Sequence, residues 1–422
     1  MFVADPLYGG THVPAWLGDV ILTPEVQRLR GIRLINTSSP TLAALSDARR
    51  YTHTLGVLHL ALRIQDRLTQ ISDGLRRALL ASVIAHDLAT PPFGHVFEYL
   101  LKATTGWSHE QVVSSLLEGT YRPEGIYSQI LPGRQLALRS TLETHSVDPN
   151  LVALMVRGDT ELGVLVAGSI DLDNLDNVFR MAHLLGLPGC DLTAGRRLVD
   201  GLNVNGDGLV VDPTVLPLLD VWSATRRAVY SVLAFDETNL QGQAMLTDCL
   251  TTAMEAGLIG VEHWYWTDEW LLYRLQRFDE TKRLTQRFFA GDLYETIFIG
   301  WYDVAKGALD LRLPAERSRL RDALQSQLSC PCSPYVFYDN GTFSKSLAVN
   351  IAGSDAVWPD VPTISSRSTI VGVFTPHRSA PAHAVRAITQ VLDEFGLPAD
   401  ALKPIPLKDM VYGLPGQTKL PV

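Results

Sequence analysis

Cysteine is scarce in this chain, with four in 422 residues: Cys190, Cys249, Cys330 and Cys332. No two of them have the C-x-x-C spacing of a zinc ribbon, so that class of metal site is excluded. We interpret Cys330-Pro331-Cys332, the one close pair, as a turn with two thiols and not as a metal or redox motif. Such cysteine usage is typical of a reducing compartment, and we expect a cytoplasmic protein.

Long apolar runs and an excess of basic charge are also missing. No apolar stretch is long enough to cross a bilayer, and residues 1–10 lack the basic and apolar regions of a signal peptide. The net charge of −9 disfavours strong binding to a nucleic-acid backbone, which needs a basic surface. A small anionic substrate stays open, because a local arginine cluster or a metal can outweigh the overall charge.

Apolar residues, in contrast, are plentiful: they make up 46% of the chain, and charged residues make up 19%. This composition predicts a large buried core and argues against extensive disorder. Helical patterns dominate, and we expect helices within residues 52–68, 74–87, 163–185, 213–256, 264–285, 290–308 and 382–395. Residues 335–338 and 369–374 are typical of strands. The predicted fold is mainly α, with a helical domain over 1–330 and a smaller α+β region over 331–422.

Two histidines and two aspartates, far apart in sequence, suggest a metal site. His86 and Asp87 close one apolar helix, and His53 stands at the start of the helix before it. Further on, residues 170–176 hold three carboxylates, of which Asp173 is our predicted fourth ligand. Two imidazoles and two carboxylates suit Mn, Fe, Ni, Zn or, less well, Mg. A divalent metal there would neutralise phosphate charge and lower the pKa of a bound water.

The carboxylate-rich helix leaves a second interpretation open. Leu172, Leu175 and Phe179 share one stripe that is expected to face the core. Another face carries polar residues, namely Asp173, Asp176, Asn177 and Arg180. Exposed faces of mixed charge are common on helices, so this face alone fits a solvated surface as well as a metal site. Its occurrence together with the two histidines favours the metal site.

Further motifs surround these residues. Six segments are involved: DPLYG at 5–9, TPEVQRLR at 23–30, RYTHTLGV at 50–57, HDLATPPFGHVFE at 86–98, WSHE at 107–110 and TRRAVY at 225–230. Together with the order His53, His86-Asp87, Asp173, they resemble the HD-domain phosphohydrolase superfamily. Within it, the chain is similar to the deoxynucleoside-triphosphate triphosphohydrolase (dGTPase-like) branch. The resemblance covers roughly residues 5–260.

The resemblance implies a role for each matching residue. Four residues would bind the metal: His53, His86, Asp87 and Asp173. His109 would donate a proton to the leaving oxygen beside Glu98, which stands where the branch has an aspartate. Arg50 would lie against the phosphates, although a surface ion pair is its alternative role. His95 would be a substrate contact or a packed side chain, and Arg226 or its neighbour Arg227 would bind a distal phosphate.

Several positions depart from the branch. Thr90, Asn174, Asn177 and Met181 stand where it has histidine, lysine, tyrosine and aspartate respectively. Asn36 is the nearest amide to the position of a glutamine that senses the sugar. We retain Asn36, Asn174 and Asn177 as candidate substrate contacts. A methionine cannot replace a carboxylate as the acceptor for a sugar hydroxyl, so the substrate of the branch is less certain to carry over than its metal chemistry.

Three functions follow from these observations. The first is a metal-dependent phosphohydrolase acting on nucleotides, most like a dNTP triphosphohydrolase, in which water activated by the metal attacks phosphorus. The second is a phosphomonoesterase or phosphodiesterase acting on a modified or signalling nucleotide. The third is a nucleotide sensor without catalysis, although the survival of all four ligands argues against it. The resemblance also implies a homo-oligomer, with a nucleotide as the small-molecule partner.

Overall fold

The structure is a computed structural model. It describes residues 1–36, 39–65, 67–68, 70–121, 136–206, 208–303, 310, 313–340, 349–354, 357–358, 367–376 and 383–405. As predicted, the described chain is mainly helical, with a smaller region near its C-terminal end that contains a sheet. None of the described helices is both long enough and apolar enough to cross a bilayer.

The helices fall into two groups along the chain. Those of the first half are α1 (Ala15–Ile21), α2 (Pro24–Arg28), α3 (Ala43–Asp47), α4 (Arg50–Gln65), α5 (Asp73–Ala85), α6 (His95–Thr105), α7 (His109–Glu118), α8 (Leu138–Thr144), α9 (Pro149–Val156) and α10 (Leu172–Leu185). Those that follow are α11 (Ala194–Asp200), α12 (Leu216–Phe235), α13 (Glu237–Glu255), α14 (Asp268–Leu275), α15 (Asp279–Ala290), α16 (Pro314–Leu328) and α17 (Ala384–Glu394).

The strands form three sheets. They are β1 (Phe2–Asp5), β2 (Gly9–His12), β3 (Leu202–Asn205), β4 (Gly208–Val211), β5 (Glu295–Tyr302), β6 (Ser333–Asn340), β7 (Val349–Ile351), β8 (Val357–Trp358), β9 (Arg367–Thr375) and β10 (Leu402–Lys403). Strands β1 and β2 make an N-terminal hairpin. A second sheet has the order β3-β4-β7-β8, and a third, antiparallel sheet has the order β10-β5-β9-β6.

One large hydrophobic core extends from Tyr8 to Tyr294 and also includes Val349 and Phe374. Helix α5 packs between α4 and α9, while α10 packs on α4 and α12. Side chains such as Leu60, Val83 and Phe179 are fully buried in this core. Local capping sets where helices begin: the side chain of Ser72 accepts the N–H of Leu75 at the start of α5. The packing brings the starts of α4 and α10 and the end of α5 to one place.

The C-terminal sheet has a separate, smaller core. Helices α16 and α17 pack on each other and on β6 and β5, and they bury Leu320, Val371 and Ile388. The predicted boundary at residue 330 remains a prediction. Because β5 already pairs with β9, we propose that this unit begins nearer Glu295 than residue 330.

Two of the helix predictions were wrong. Residues 290–308 were expected to be helical, but Glu295–Tyr302 form β5, whose β-branched and aromatic side chains favour an extended chain. Residues 163–185 were expected to be one helix, but a break precedes α10. A side-chain carbon on Gly168 would lie 2.2 Å from the carbonyl oxygen of Val164, so the backbone turns tightly there. Asp171 then caps the new helix by accepting the N–H of Asn174.

Candidate active site

Three of the four predicted metal ligands lie together. His53 is in the first turn of α4, His86 directly follows α5, and Asp173 is in the first turn of α10. One ligand atom from each lies within 4.8 Å of the other two. Oδ1 of Asp173 is 2.8 Å from Nε2 of His53 and 3.8 Å from Nε2 of His86. The packing of α4, α5 and α10 therefore creates a compact cluster of two imidazoles and one carboxylate.

Hydrogen bonds orient both imidazoles toward this cluster. Nδ1 of His86 lies 2.8 Å from the carbonyl oxygen of Val83, which can only accept, so that nitrogen carries the proton. Nδ1 of His53 lies 2.7 Å from Asp176. Both Nε2 atoms are buried: that of His86 has no hydrogen-bond partner within the described part of the chain, and that of His53 faces Oδ1 of Asp173 at 2.8 Å. Buried lone pairs that converge in this way fit a bound cation, because histidine ligands usually donate their other N–H to such a partner.

A proton competes with a metal for His53. Burial alone would lower its pKa, but the contacts with Asp173 and Asp176 raise the pKa to about 10. In the absence of metal, His53 is therefore protonated and bridges the two carboxylates. For Asp173 burial has the opposite effect and raises the pKa, but the contact with His53 brings the pKa of Asp173 below its ordinary value. Once His53 gives up this proton, as a metal ligand must, the two imidazoles are neutral and Asp173 supplies one negative charge, which suits a divalent cation.

Asp87, the fourth predicted ligand, lies beside the cluster and pairs with Arg50. Nη1 of Arg50 lies 2.8 and 2.7 Å from its two oxygens, and Thr90 donates to Oδ1 at 2.9 Å. Oδ2 is also 3.6 Å from Nε2 of His86 and 3.9 Å from Nε2 of His53. Burial raises the pKa of Asp87, but Arg50 and the histidines hold it well below its usual range. Asp87 is therefore ionised and adjacent to both imidazoles.

A second group of predicted residues meets at Glu98. Its Oε1 lies 2.5 Å from Nδ1 of His109, the first residue of α7, and its Oε2 lies 2.8 Å from Nδ1 of His95, the first residue of α6. Burial raises the pKa of Glu98, but the two histidines bring it far below the ordinary value. Burial lowers the pKa of His109, and Glu98 more than reverses this, so the pKa is raised. Glu98 therefore favours the protonated form of His109 and fixes its Nδ1.

Four of the five predicted substrate contacts bond each other in two pairs: Asn36 with His95, and Asn174 with Arg226. Oδ1 of Asn36 accepts the backbone N–H of His95 at 3.2 Å, which ties it to the loop before α6. Oδ1 of Asn174 accepts from Arg226 at 3.1 Å, and its amide nitrogen donates to Asp171. Asn174 is therefore already engaged within the protein, in contrast to a free phosphate contact.

Arg226 and Asn177 complete this side of the site. The guanidinium of Arg226 stacks on Tyr230, 4.6 Å from the ring centroid. Burial raises the pKa of Tyr230, and the charges of Arg226 and Asp173 both act on it, so this pair lies near the metal ligands. Oδ1 of Asn177 is buried without a hydrogen-bond partner in the described residues. The roles of both residues as substrate contacts stay predictions.

Comparison with known proteins gives this geometry a family. The family model for the HD domain matches residues 50–152, which include Arg50, His53, His86, Asp87 and the Glu98–His109 pair. The chain contains an HD domain. The assignment made from the sequence motifs is therefore confirmed.

Similar proteins share more than the HD domain. The "Uncharacterized protein MG461 homolog" of Mycoplasma pneumoniae is 23% identical over 58% of this chain and 59% of its own length. The deoxynucleoside triphosphate triphosphohydrolase SAMHD1 homolog of Dictyostelium discoideum is 23% identical over 60% of this chain and 49% of its own length. SAMHD1 of Bos taurus is 31% identical over 29% of this chain and 23% of its own length. The matched region thus spans about half the length of the first two relatives.

Sequence analysis missed the residues that support the HD domain's ligands. Asp176 and Arg180, assigned to a face that could have been solvated, are almost fully buried. They contact each other, and Asp176 also contacts His53. Asp268, in α14, accepts the N–H of Phe93 at 2.8 Å and thereby holds the loop before α6. The spacing of Asp176 and Arg180, four residues apart beside Asp173, was a usable signal. Nothing in the sequence connects Asp268 with Phe93.

Proposed function

We propose that the chain is a metal-dependent phosphohydrolase that acts on nucleotides, most like a dNTP triphosphohydrolase. The observation that carries this proposal is the convergence of Nε2 of His53, Nε2 of His86 and Oδ1 of Asp173 in one partly buried cluster. The HD domain and the similarity to proteins named as triphosphohydrolases support it. The cofactor in this proposal is a divalent ion from the set Mn, Fe, Mg, Ni and Zn.

The ligand residues and Arg50 would act together on the phosphate. His53, His86 and Asp173 would hold the metal, with Asp87 as the fourth ligand. A divalent cation there supplies positive charge for the phosphate oxygens and lowers the pKa of a water. Arg50 bonds both oxygens of Asp87 through Nη1, and in this proposal the rest of its guanidinium would bond a phosphate. A guanidinium in that place stabilises the charge that develops on the transferring group.

His109 would serve as the general acid. Glu98 fixes its Nδ1, which leaves Nε2 to face a leaving oxygen, with Oε1 of Glu110 3.5 Å away. Because Glu98 raises the pKa of His109, the imidazolium form that can donate is populated at neutral pH. His95 shares the same carboxylate, and we propose that it contacts the substrate beside His109. Glu98 would therefore position both histidines.

The predicted substrate contacts fit a nucleotide, but they do not decide which phosphate bond of the nucleotide is hydrolysed. In this proposal Arg226 and Asn177 would contact a phosphate or the sugar, and Asn36 and Asn174 would support that contact. One observation favours the second candidate, a phosphomonoesterase or phosphodiesterase. Met181, at the position where the branch has an aspartate, is 3% exposed inside an apolar cluster, and its weakly accepting thioether does not replace a carboxylate as the acceptor for a sugar hydroxyl.

Product analysis separates the candidates. The purified chain would be incubated with a panel of nucleoside mono-, di- and triphosphates and cyclic nucleotides, with each candidate metal in turn. We expect chromatography to show tripolyphosphate and nucleoside from a deoxynucleoside triphosphate. Release of inorganic phosphate without tripolyphosphate, or opening of a cyclic nucleotide to a nucleoside monophosphate, would establish the second candidate. Metal bound without turnover of any nucleotide would overturn the hydrolase proposal and favour a sensor. Self-association, which the family resemblance implies, stays a prediction for analytical ultracentrifugation.

A further inference from the structure

A buried chain of charged groups runs from the N-terminal hairpin to the metal ligands. Nη2 of Arg180 donates to Asp5 at 2.9 Å and to Asp176 at 2.9 Å, and its Nε donates to Asp176 at 2.8 Å. Asp176 in turn accepts from Nδ1 of His53 at 2.7 Å. None of these four side chains is more than 4% exposed. We call this set the Asp5–Arg180–Asp176 chain.

Gly56 is a second observation that bears on this chain, because a side chain at that position would collide with Arg180 and Asp176. It lies in the middle of α4, one turn after His53, where glycine is less favourable than alanine. A side-chain carbon at Gly56 would lie 2.1 Å from Nη2 of Arg180 and 2.1 Å from Oδ1 of Asp176. The missing side chain therefore leaves the room in which the two charged groups meet against the helix that carries His53.

The hairpin that supplies Asp5 is fastened in more than one place. Oδ1 of Asp5 accepts the backbone N–H groups of Leu7 and Tyr8, so only Oδ2 reaches Arg180. The ring of Tyr8 lies 5.7 Å from the guanidinium carbon of Arg180 and stacks on His59 of α4 at 4.7 Å. Residues that precede the HD domain in sequence are thus part of the shell around its ligands.

We propose, building on the proposed function, that the Asp5–Arg180–Asp176 chain is a positioning device for the metal site. Asp176 accepts the Nδ1 proton of His53 and so directs the Nε2 lone pair toward the cluster. Arg180 holds both oxygens of Asp176, and Asp5 holds Arg180 from its far side. The hairpin of β1 and β2 therefore helps to set the metal affinity of the site through His53, which lies on α4. The isolated HD domain would lack this support.

The test measures metal affinity in the full chain without relying on turnover. Mn²⁺ binding would be followed by electron paramagnetic resonance of the free ion, beside the thermal midpoint of each variant. Loss of a hydrogen-bonding partner of a ligand typically weakens metal binding 10- to 100-fold. We expect a weakening in that range for Asp176→Asn and Gly56→Ala, and a smaller one, of several-fold, for Asp5→Asn. Asp200→Asn is the matched control, because Asp200 forms a solvent-accessible ion pair with Arg63, which lies on α4, the helix that also carries His53 and Gly56.

The outcomes separate this inference from the proposed function. If the wild-type chain binds no divalent cation, both fail. If it binds Mn²⁺ and the variants at Asp176, Gly56 and Asp5 bind it equally well, the positioning role alone is overturned. Reduced thermal stability with unchanged affinity would also overturn it, because the chain would then be purely structural. Should Asp176→Asn not fold, Asp5→Asn decides by the same comparison, because it changes only the far end of the chain.

Discussion

The two sides of the site are built in different ways. On the metal side, side chains are held by partners distant in sequence: His53 by Asp176, and Asp87 by Arg50. On the substrate side, Asn174 has a local partner in Asp171, three residues earlier, beside a distant one in Arg226. Asp176, which holds His53, is fully buried, whereas Asn174 is only half-buried. We therefore predict that the metal side tolerates substitution less well than the substrate side, whose preference is adjustable.

The strongest test of the metal side is removal of a ligand. Changes to the partners of ligands already cost 10- to 100-fold in affinity. We therefore expect His86→Ala and Asp173→Ala each to weaken Mn²⁺ binding by more than about 100-fold and to abolish turnover. Isothermal titration with Mn²⁺ and the nucleotide assay would measure the two effects. His145→Ala is the control, because His145 pairs with Asp19 instead. Intact metal content in both ligand variants would show that the site is misassigned.

The next largest effect concerns the acid–base pair. Glu98→Gln removes the charge that raises the pKa of His109, but it leaves the metal cluster unchanged. An acid is active in its protonated form, so wild-type activity is expected to fall as the pH rises through the raised pKa of His109. In the variant this descending limb should move to lower pH, and kcat at neutral pH should fall by roughly 10²- to 10⁴-fold.

The control for this experiment is Glu110→Gln. Glu110 is half-exposed beside Nε2 of His109, at 3.5 Å, and is not its orienting partner. We expect only a small change in the pH profile of Glu110→Gln. The Mn²⁺ affinity should be unchanged in both Glu98→Gln and Glu110→Gln. A profile for Glu98→Gln that keeps its limb in place, with kcat near that of the wild type, would remove His109 from the role of general acid.

A smaller effect is expected at the loop that joins the two sides. Phe93 has a φ of 58°, a conformation that side chains rarely adopt, and its N–H donates to the buried Asp268. Asp268→Asn retains one acceptor oxygen but cannot serve Phe93 and Arg33 equally. We expect the free energy of unfolding to fall by about 1–3 kcal/mol. We also expect kcat to fall by less than with Glu98→Gln.

Urea unfolding and steady-state kinetics would measure the two quantities for Asp268→Asn. Glu269→Gln is a close control: Glu269 is the next residue, its side chain is 51% exposed, and it pairs with Arg33 and Arg49 at the surface. Exposed pairs of this kind contribute little to stability. Equal stability of the two variants would mean that Asp268 does not hold the loop.

The contrast between the two sides also explains what the sequence could predict. Motif order was enough to bring His53, His86 and Asp173 to one cluster, because α4, α5 and α10 each place one ligand at a helix end. The predicted helical class was likewise confirmed. Asp176 and Arg180 were missed because their burial depends on the hairpin of residues 2–12, which the helix pattern does not contain.

Other misses have related physical causes. Residues 290–308 carry apolar side chains that fit a helix or a strand, and the pairing with β9, more than 60 residues later, decides for a strand at Glu295–Tyr302. Thr90 was read as a loss relative to the family histidine, yet its hydroxyl donates to Asp87. In both cases the deciding partner is distant or depends on side-chain geometry. Local patterns contain neither kind of information.

The smallest predicted effect tests the substrate side directly. Arg226 is 7% exposed and lies between Asn174 and Tyr230, whereas its neighbour Arg227 is exposed. We expect Arg226→Met to raise KM for a nucleotide by about 10-fold, the loss of roughly 1.4 kcal/mol of charge-assisted hydrogen bonding, with little change in kcat. Uniform loss of binding raises KM in this way, whereas loss of transition-state binding lowers kcat.

Arg227→Met provides the matched comparison, because it removes the same charge from the same helix one residue away. If the substrate side is adjustable and separate from the metal side, Arg226→Met should leave Mn²⁺ affinity unchanged and should alter the ranking of nucleotides in the panel. Equal KM values for the two variants would place the phosphate contact elsewhere. A large fall in kcat for Arg226→Met would instead join Arg226 to the chemistry of Arg50, and the division between the two sides would then no longer hold.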